Sequence, residues 1–374
     1  MQVVIRTESS QKIGVGHVIR CLTLASTLRK SGADVSFVCA TLPGDLADFI
    51  AQSGFVVERL PPLTVPNCAP SQPAWPDVPW QVEVVRTRAA IENLGARPDW
   101  IVYDHYVIDA RVEGAMRDVA AHILVIDDLA NRPHDCDILL DQNFVSGLYE
   151  RYDGYVSADV RRLLGPQFAL LHPAYAQLHG ATPPRHGEVL RVLVFFSGAD
   201  IDNLTGMAIG ALRKLGRTEL EADFVITASH PFAEAINSEL LGDARFRVHV
   251  NLPTLAPLMA RADFAIGAVG MTSWERACVG LPSLVISMAD NQLAAARELH
   301  RAGIVHLLGH KDTVRESTLV AALEEIFEGG LDPEWSRRCA ALVDGRGGQR
   351  VSDALFAINL GKRRQLPHKI GLSK

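Results

Sequence analysis

The chain has 374 residues and a formal net charge of −6, with 48% hydrophobic and 21% charged residues. That length suits two ordinary domains, each burying its own core, and the acidic balance excludes wholesale nucleic-acid binding. The six cysteines (Cys21, Cys39, Cys68, Cys136, Cys278 and Cys339) show no C-x-x-C pair or zinc-like spacing, and no apolar run is long enough for a bilayer, so the expectation is a cytoplasmic chain with free thiols and no membrane insertion.

The first strand is expected at 2–6. It leads into Arg6-Thr7-Glu8-Ser9-Ser10-Gln11-Lys12-Ile13-Gly14-Val15-Gly16-His17-Val18-Ile19-Arg20, where strand, glycine-bearing turn and helix meet with one histidine at the junction. Val18, Leu22, Ala25 and Leu28 recur at helical spacing until Gly32 can end the helix. Gly14 and Gly16 allow a sharp turn and close ligand approach, and the N–H groups of a first helical turn favour anionic oxygen. His17 at that helix start is a candidate general base. A structural turn and a capping histidine are the plain alternatives.

Further strands are expected at 35–40, 100–103, 123–126 and 138–140, then at 192–196, 224–227, 264–266, 283–286 and 304–307, alternating with helix-period stretches. Continuous rather than alternating apolarity implies parallel sheets covered by helices on both faces. The proline-crowded segment 61–80 reads as a long loop, passive or lid-like. Residues 1–165 are expected to form an N-terminal Rossmann-like domain, 166–189 a connection, 190–345 a second Rossmann-like domain, and 346–374 a C-terminal helix and flexible tail. Such an α/β pair would bind ligand at strand carboxyl ends, facing a central cleft.

The second half carries a denser motif. Gly267-Ala268-Val269-Gly270-Met271-Thr272-Ser273-Trp274-Glu275 joins a strand end to a small-residue turn and a helix, and Asp290-Asn291-Gln292 opens the next helix. A diphosphate suits the turn: Gly270 permits approach, while the N–H groups of Met271, Thr272 and Ser273 and two hydroxyls can bind it without a metal. Glu275, one turn into the helix, is placed to accept hydrogen bonds from ribose hydroxyls. Its plain alternative is an exposed first-turn acid. Asp135-Cys136-Asp137 matches a metal-type Asp-x-Asp pattern, but it precedes a strand-like run and such short patterns arise by chance.

Gly-x-Gly-His-x-x-x-Arg, Tyr103-Asp104-His105-Tyr106, Ile126-Asp127-Asp128, Leu163-Leu164-Gly165-Pro166, Phe196-Ser197-Gly198-Ala199-Asp200, the 270–282 block with Asp290-Asn291-Gln292, and Asp344-Gly345-Arg346-Gly347 span most of the chain. Together they resemble the UDP-sugar hydrolases of the pseudaminic acid pathway. The chain departs from that pattern at Glu8, where aspartate is usual, at Ser197 and at His172. The resemblance implies a GT-B-type fold related to the glycosyltransferase of lipid II synthesis. It also implies hydrolysis of UDP-2,4-diacetamido-2,4,6-trideoxy-β-L-altropyranose to free sugar and UDP, a nonulosonic acid precursor step.

On that footing His17, Tyr106 and Asp104 are the expected catalytic set, Asp104 and Tyr106 holding either the sugar or the histidine. Gly14, Gly16, Arg20, Gly198, Asn203, Gly270, Met271, Thr272, Ser273, Glu275, Asn291 and Gln292 are expected to bind substrate. No obligatory cofactor or metal is expected, with Mg2+ accompanying UDP left open; the partner is a small nucleotide sugar, not nucleic acid. The competing functions are a GT-B glycosyltransferase with a UDP-amino sugar donor, a hydrolysing epimerase and a non-catalytic sugar-nucleotide-binding protein.

Overall fold

The computed structural model describes residues 1–62, 78–95, 97–198 and 200–365. The chain divides into two compact units, the first holding 1–141, 152–163 and the C-terminal helix Gly347–Gln365, the second holding 142–151 and 164–346.

The first unit is built on a seven-stranded sheet, in chain order β1 (Gln2–Thr7), β2 (Asp34–Ala40), β3 (Val56–Leu60), β4 (Trp100–Asp104), β5 (His122–Ile126), β6 (Ile138–Asp141) and β7 (Arg161–Leu164). Its spatial order is β3-β2-β1-β4-β5-β6-β7. The central β1 pairs in parallel with β2 and β4, and Thr7 lies opposite Asp104. Val3, Val4 and Ile5 of β1 are all buried, as expected of a strand covered on both faces. The Gly16–Lys30 helix returns over the sheet through Val18, Cys21, Leu22, Ala25 and Leu28, and the Gly347–Gln365 helix packs against it, with Ser352 Oγ 3.2 Å from Ser31 Oγ.

The second unit repeats the plan with six strands: β8 (Arg191–Phe195), β9 (Glu221–Ile226), β10 (Phe246–Val250), β11 (Phe264–Ala268), β12 (Ser283–Ser287) and β13 (His306–His310), ordered β10-β9-β8-β11-β12-β13. Neighbouring residues within its strands feed different cores. Val192, Val194, Phe224, Ile266 and Ile286 pack on one face, while Leu193, Val225, Ala265 and Val285 pack on the other. This two-sided burial is why the central strands are continuously apolar.

In both units the chain winds outward from the first strand in one direction and then restarts beside it in the other. The strand order therefore reverses between β1 and β4 and again between β8 and β11. Loops leaving the carboxyl ends of those pairs splay to opposite faces and open a crevice, the usual ligand position in such sheets.

Three strands, β3, β7 and β10, go beyond the sequence expectation. All are short, β3 and β7 close the two edges of one sheet and β10 an edge of the other, so their sequences (Val56-Val57-Glu58-Arg59-Leu60, for example) carry charged, partly exposed positions instead of an apolar run. The last strand begins at His306, two residues later than the apolar pattern starts, because Ile304 and Val305 pack into the core ahead of it. Trp80 opens the Trp80–Asn93 helix instead of ending a loop, and 63–77 lie outside the described residues. The expected C-terminal helix runs from Gly347 to Gln365, and 366–374 lie outside the described residues.

Candidate functional site

At the reversal point of the first sheet, three neighbouring strand ends supply one hydrogen-bonded cluster. After β1 the chain turns at Gly14, whose φ of +84° favours glycine, and enters the Gly16–Lys30 helix behind Val15, whose side chain makes no cap hydrogen bond. Side chains added at Gly14 or Gly16 would meet nothing within 4 Å, so the space over this turn is open. His17, Arg20 and Cys21 sit at i, i+3 and i+4 on one face of the helix, and that face meets Asp104, the last residue of β4.

Asp104 is fully buried and fully engaged. Its Oδ1 lies 2.7 Å from His17 Nδ1 and accepts from Arg20 Nη2 at 2.6 Å, while Oδ2 accepts from Arg20 Nε at 2.7 Å and Cys21 Sγ at 3.3 Å. Burial alone would raise its pKa, but the charges of Arg20 and His17 outweigh burial and hold the carboxyl well below the usual carboxylate range. A carboxylate oxygen 2.7 Å from a ring nitrogen requires the proton between them. The neutral imidazole therefore carries its proton on Nδ1 and its basic lone pair on Nε2.

Asp128, just beyond the end of β5, extends the cluster. It accepts from Arg20 Nη1 at 2.7 Å and from the Tyr106 hydroxyl at 3.1 Å, and the Tyr106 ring meets the His17 ring edge-on at 4.7 Å between centroids. Burial, and then the Asp128 charge, push the Tyr106 phenol upward, so it stays a donor. Arg20 commits its Nε and both terminal nitrogens to Asp104 and Asp128. It fixes the acids that fix His17.

The reversal point of the second sheet brings together the other expected residues. Gly270 follows β11 with φ +143° and ψ −153°, an extended left-handed conformation open to glycine. The Met271–Cys278 helix starts directly after it. Ser273 is spent within the turn: its N–H donates to Gly270 O at 2.9 Å, and its Oγ accepts from Gly270 N at 3.4 Å and Arg276 Nη2 at 3.1 Å. Arg276 also donates to Ala268 O at 2.9 Å and Thr272 Oγ1 at 3.2 Å, tying the turn from beneath. The part-buried Gln292 stands beside Gly270, with its buried Oε1 making no hydrogen bond. The Asn291 side chain lies outside the described residues.

Gly198 and Asn203 leave the neighbouring β8. Gly198 O accepts from Thr227 Oγ1 at 2.5 Å, and Asn203, at φ +53°, caps the Leu204–Lys214 helix through Oδ1 to Gly206 N at 3.1 Å. Ala199 lies outside the described residues. Glu275 is part-buried, and desolvation pushes its pKa up to about 7 against the opposing influence of Tyr175 and Arg276. Tyr175, from a different segment, is the first of the groups that oppose that rise.

The structure adds Asp128, Cys21, Tyr175 and Arg276 to the expected residues. Cys21 is detectable in the sequence as the i+4 partner of His17, whereas Tyr175 lies 100 positions before Glu275 and no local pattern links them. In Asp135-Cys136-Asp137, both acids are bound by Arg117, at 2.7 Å for Asp135 and 2.5 Å for Asp137, and Asp137 also accepts from Ile123 N at 2.8 Å. Among the described residues no group of three or more His, Cys, Asp or Glu could hold a metal ion, and no helix is long and apolar enough to cross a membrane. Cys21, Cys39, Cys136, Cys278 and Cys339 are free and buried; Cys68 lies outside the described residues.

No family model matches the chain. It is 27% identical over 215 residues to the spore coat polysaccharide biosynthesis protein SpsG of Bacillus subtilis, over 56% of this chain and 63% of that protein, so it spans less than two thirds of that relative's length. It is 23% identical over 308 residues to the UDP-2,4-diacetamido-2,4,6-trideoxy-beta-L-altropyranose hydrolase of Campylobacter jejuni, over 81% of this chain and 97% of the hydrolase. Among solved structures, MurG of Acinetobacter baumannii superposes with a TM-score of 0.62 at 15% identity, covering 95% of this chain and 99% of that one. The UDP-GlcNAc 2-epimerase of Neisseria meningitidis, bound to UDP-GlcNAc, superposes with a TM-score of 0.57 at 12% identity, covering 96% of this chain and 100% of that one. The chain thus has a GT-B-type α/β fold of two Rossmann-like sheets, and the family resemblance carried by its motifs is met by a relative bearing that hydrolase name.

Proposed function

We propose that this protein hydrolyses a UDP-linked 2,4-diacetamido-2,4,6-trideoxyhexose at the anomeric C–O bond with inversion, releasing UDP and the free sugar in a cytoplasmic pseudaminic-type pathway. The observation that carries this reading is the His17–Asp104 pair beside an open glycine turn at the start of a helix. Similarity to the hydrolase along almost its whole length supports the choice of substrate.

UDP is already a good leaving group, so the reaction needs an aimed water and stabilised charge more than an acid on the leaving oxygen. His17 would accept a water proton on Nε2 as the water oxygen bonds to C1, and the C1–O bond would break with its electron pair passing to UDP. Asp104, ionised and hydrogen-bonded to Nδ1, would stabilise the resulting imidazolium. In the second unit, the N–H groups at Met271 and Thr272 would receive the diphosphate, and Glu275 would accept hydrogen bonds from ribose hydroxyls. Gly14, Gly16, Gly198, Asn203, Gly270, Asn291 and Gln292 would line the substrate, while Arg20, Tyr106 and Asp128 hold His17 in place.

The direct test is product analysis with a set of UDP-linked diacetamido-trideoxyhexoses and UDP-GlcNAc. Release of UDP together with free sugar of inverted anomeric configuration is expected for the diacetamido substrates. UDP release only when a sugar acceptor is added would instead identify a glycosyltransferase, an epimerised product would identify an epimerase, and binding without turnover a sugar-nucleotide-binding protein.

A further inference from the structure

Arg276 lies beneath the turn that follows β11 and is 2% exposed. Its Nη2 donates to Ala268 O at 2.9 Å and to Ser273 Oγ at 3.1 Å, its Nη1 to Thr272 Oγ1 at 3.2 Å, and its Nε makes no hydrogen bond. All three acceptors are neutral oxygens, and among the described residues no acid forms an ion pair with this guanidinium. Burial pulls its pKa down to about 10 against the charge of the adjoining Glu275, so it remains ionised at neutral pH. A charge taken out of water without a partner is costly. The strand below makes room for it: a Cβ added at Gly267 would run into Phe195 O and come within 3.1 Å of Arg276 Nη1.

The direction of these hydrogen bonds decides what the turn can offer a ligand. A guanidinium has protons to give and nothing to accept with. Thr272 Oγ1 must therefore accept from Arg276, which turns its own hydroxyl proton away from the cation, and among the described residues that proton is given to no other group. Ser273 Oγ is in the same state, accepting from Arg276 and from Gly270 N, but it is 3% exposed and closed off. Thr272, second residue of the Met271–Cys278 helix, is only part-buried and within reach of a ligand. A donor hydroxyl over an unneutralised cation suits a phosphate oxygen, which accepts and brings the missing negative charge. A sugar hydroxyl or an amide would leave the charge as it stands.

We infer that Arg276 is a positioning residue for the diphosphate of the substrate: it holds the Thr272 hydroxyl as a donor to a phosphate oxygen and is the buried counter-charge beneath it. The inference rests on the UDP-sugar reading. It gives Arg276 a part in nucleotide binding with no contact to the nucleotide, and makes Thr272 the group through which it acts.

The test compares UDP with uridine, which lacks both phosphates, in ligand-observed NMR titrations of the full chain. Arg276→Met should weaken UDP by about tenfold or more and leave uridine unaltered, whereas a merely structural role would weaken both. Thr272→Val should weaken UDP by about tenfold, and Thr272→Ser, which keeps a hydroxyl, should restore it. In the Arg276→Met background Thr272→Val should add less than about twofold, because the two act as a unit. Arg276→Gln, which can still donate to Ala268 O, takes the place of Arg276→Met in this cycle where the latter fails to fold. A folded Arg276 variant that binds UDP as tightly as wild type, a loss shared equally by UDP and uridine, or a Thr272→Val effect undiminished in the Arg276 variant would overturn the inference. Where UDP-linked diacetamido sugars are still hydrolysed, any of those results leaves the hydrolase reading intact. The expected differences in a wild type that releases no UDP from those sugars would uphold Arg276 and overturn the hydrolase.

Discussion

His17 Nδ1 and Asp104 Oδ1 lie 2.7 Å apart although 87 positions separate them in the chain. Parallel pairing of β1 with β4 makes the contact, because Thr7 and Asp104 are opposite each other and the helix that starts just after β1 returns over that edge. An ionised acid on one imidazole nitrogen fixes the tautomer and leaves the other as base.

Asp104→Asn should show what the acid contributes. Its amide cannot act as an ionised partner for the His17 imidazolium, and the buried Arg20 loses its principal counter-charge. A fall in kcat of about 10²-fold or more is expected from the misoriented base, and removing one partner of a buried ion pair should cost about 3–5 kcal/mol in denaturant unfolding. Because Asp104 is held below the ordinary carboxylate range, its stabilisation is present above the unfolded-state pKa and is lost as pH falls through the depressed value. The wild type should therefore lose stability on acidification more steeply than Asp104→Asn.

Glu275 predicts an opposite pH dependence. Its folded pKa is raised to about 7, so the stability it contributes is present below the unfolded carboxylate pKa and fades as pH rises through about 7. Accepting ribose hydroxyls requires the carboxylate. UDP affinity measured by calorimetry should rise between pH 6 and pH 8 and level off above, with Glu275→Gln flat across that range and weaker than wild type at the upper end by about tenfold or more. A wild-type affinity independent of pH, or a Glu275→Gln protein as tight as wild type at pH 8, would remove Glu275 from the nucleotide site.

The bond that breaks can be read from isotope. Turnover in oxygen-18 water should place the label on the anomeric hydroxyl of the sugar and none in UDP. Label in the terminal phosphate of UDP would mean attack at phosphorus and would exclude His17 as the base for water attack at carbon.

The central strands of both sheets and the two glycine turns are legible in the sequence because each is a local pattern: a buried apolar run, or small residues between a strand and a helix. The edge strands β3, β7 and β10 are not, since an edge needs no apolar face on both sides and tolerates residues such as Glu58 and Arg161. The site divides in the same way. His17, Arg20 and Cys21 share a helix face that spacing alone reveals, but their convergence on Asp104 depends on strand order. Asp128 appears in the sequence only as the second acid of Ile126-Asp127-Asp128; its bonds to Arg20 and Tyr106 come from β5 lying next to β4. The engagement of Asp135 and Asp137 by Arg117 likewise needs the fold, because the pattern by itself suits a metal equally well.

Whether His17 is the base is decided by kcat of His17→Ala on the UDP-linked diacetamido sugar, measured beside the Kd of UDP. The substitution leaves the Arg20–Asp104 pair in place and removes the base. A kcat lower by about 10²–10⁴-fold with UDP affinity nearly unchanged is expected. A folded His17→Ala protein turning over at close to the wild-type kcat would contradict it.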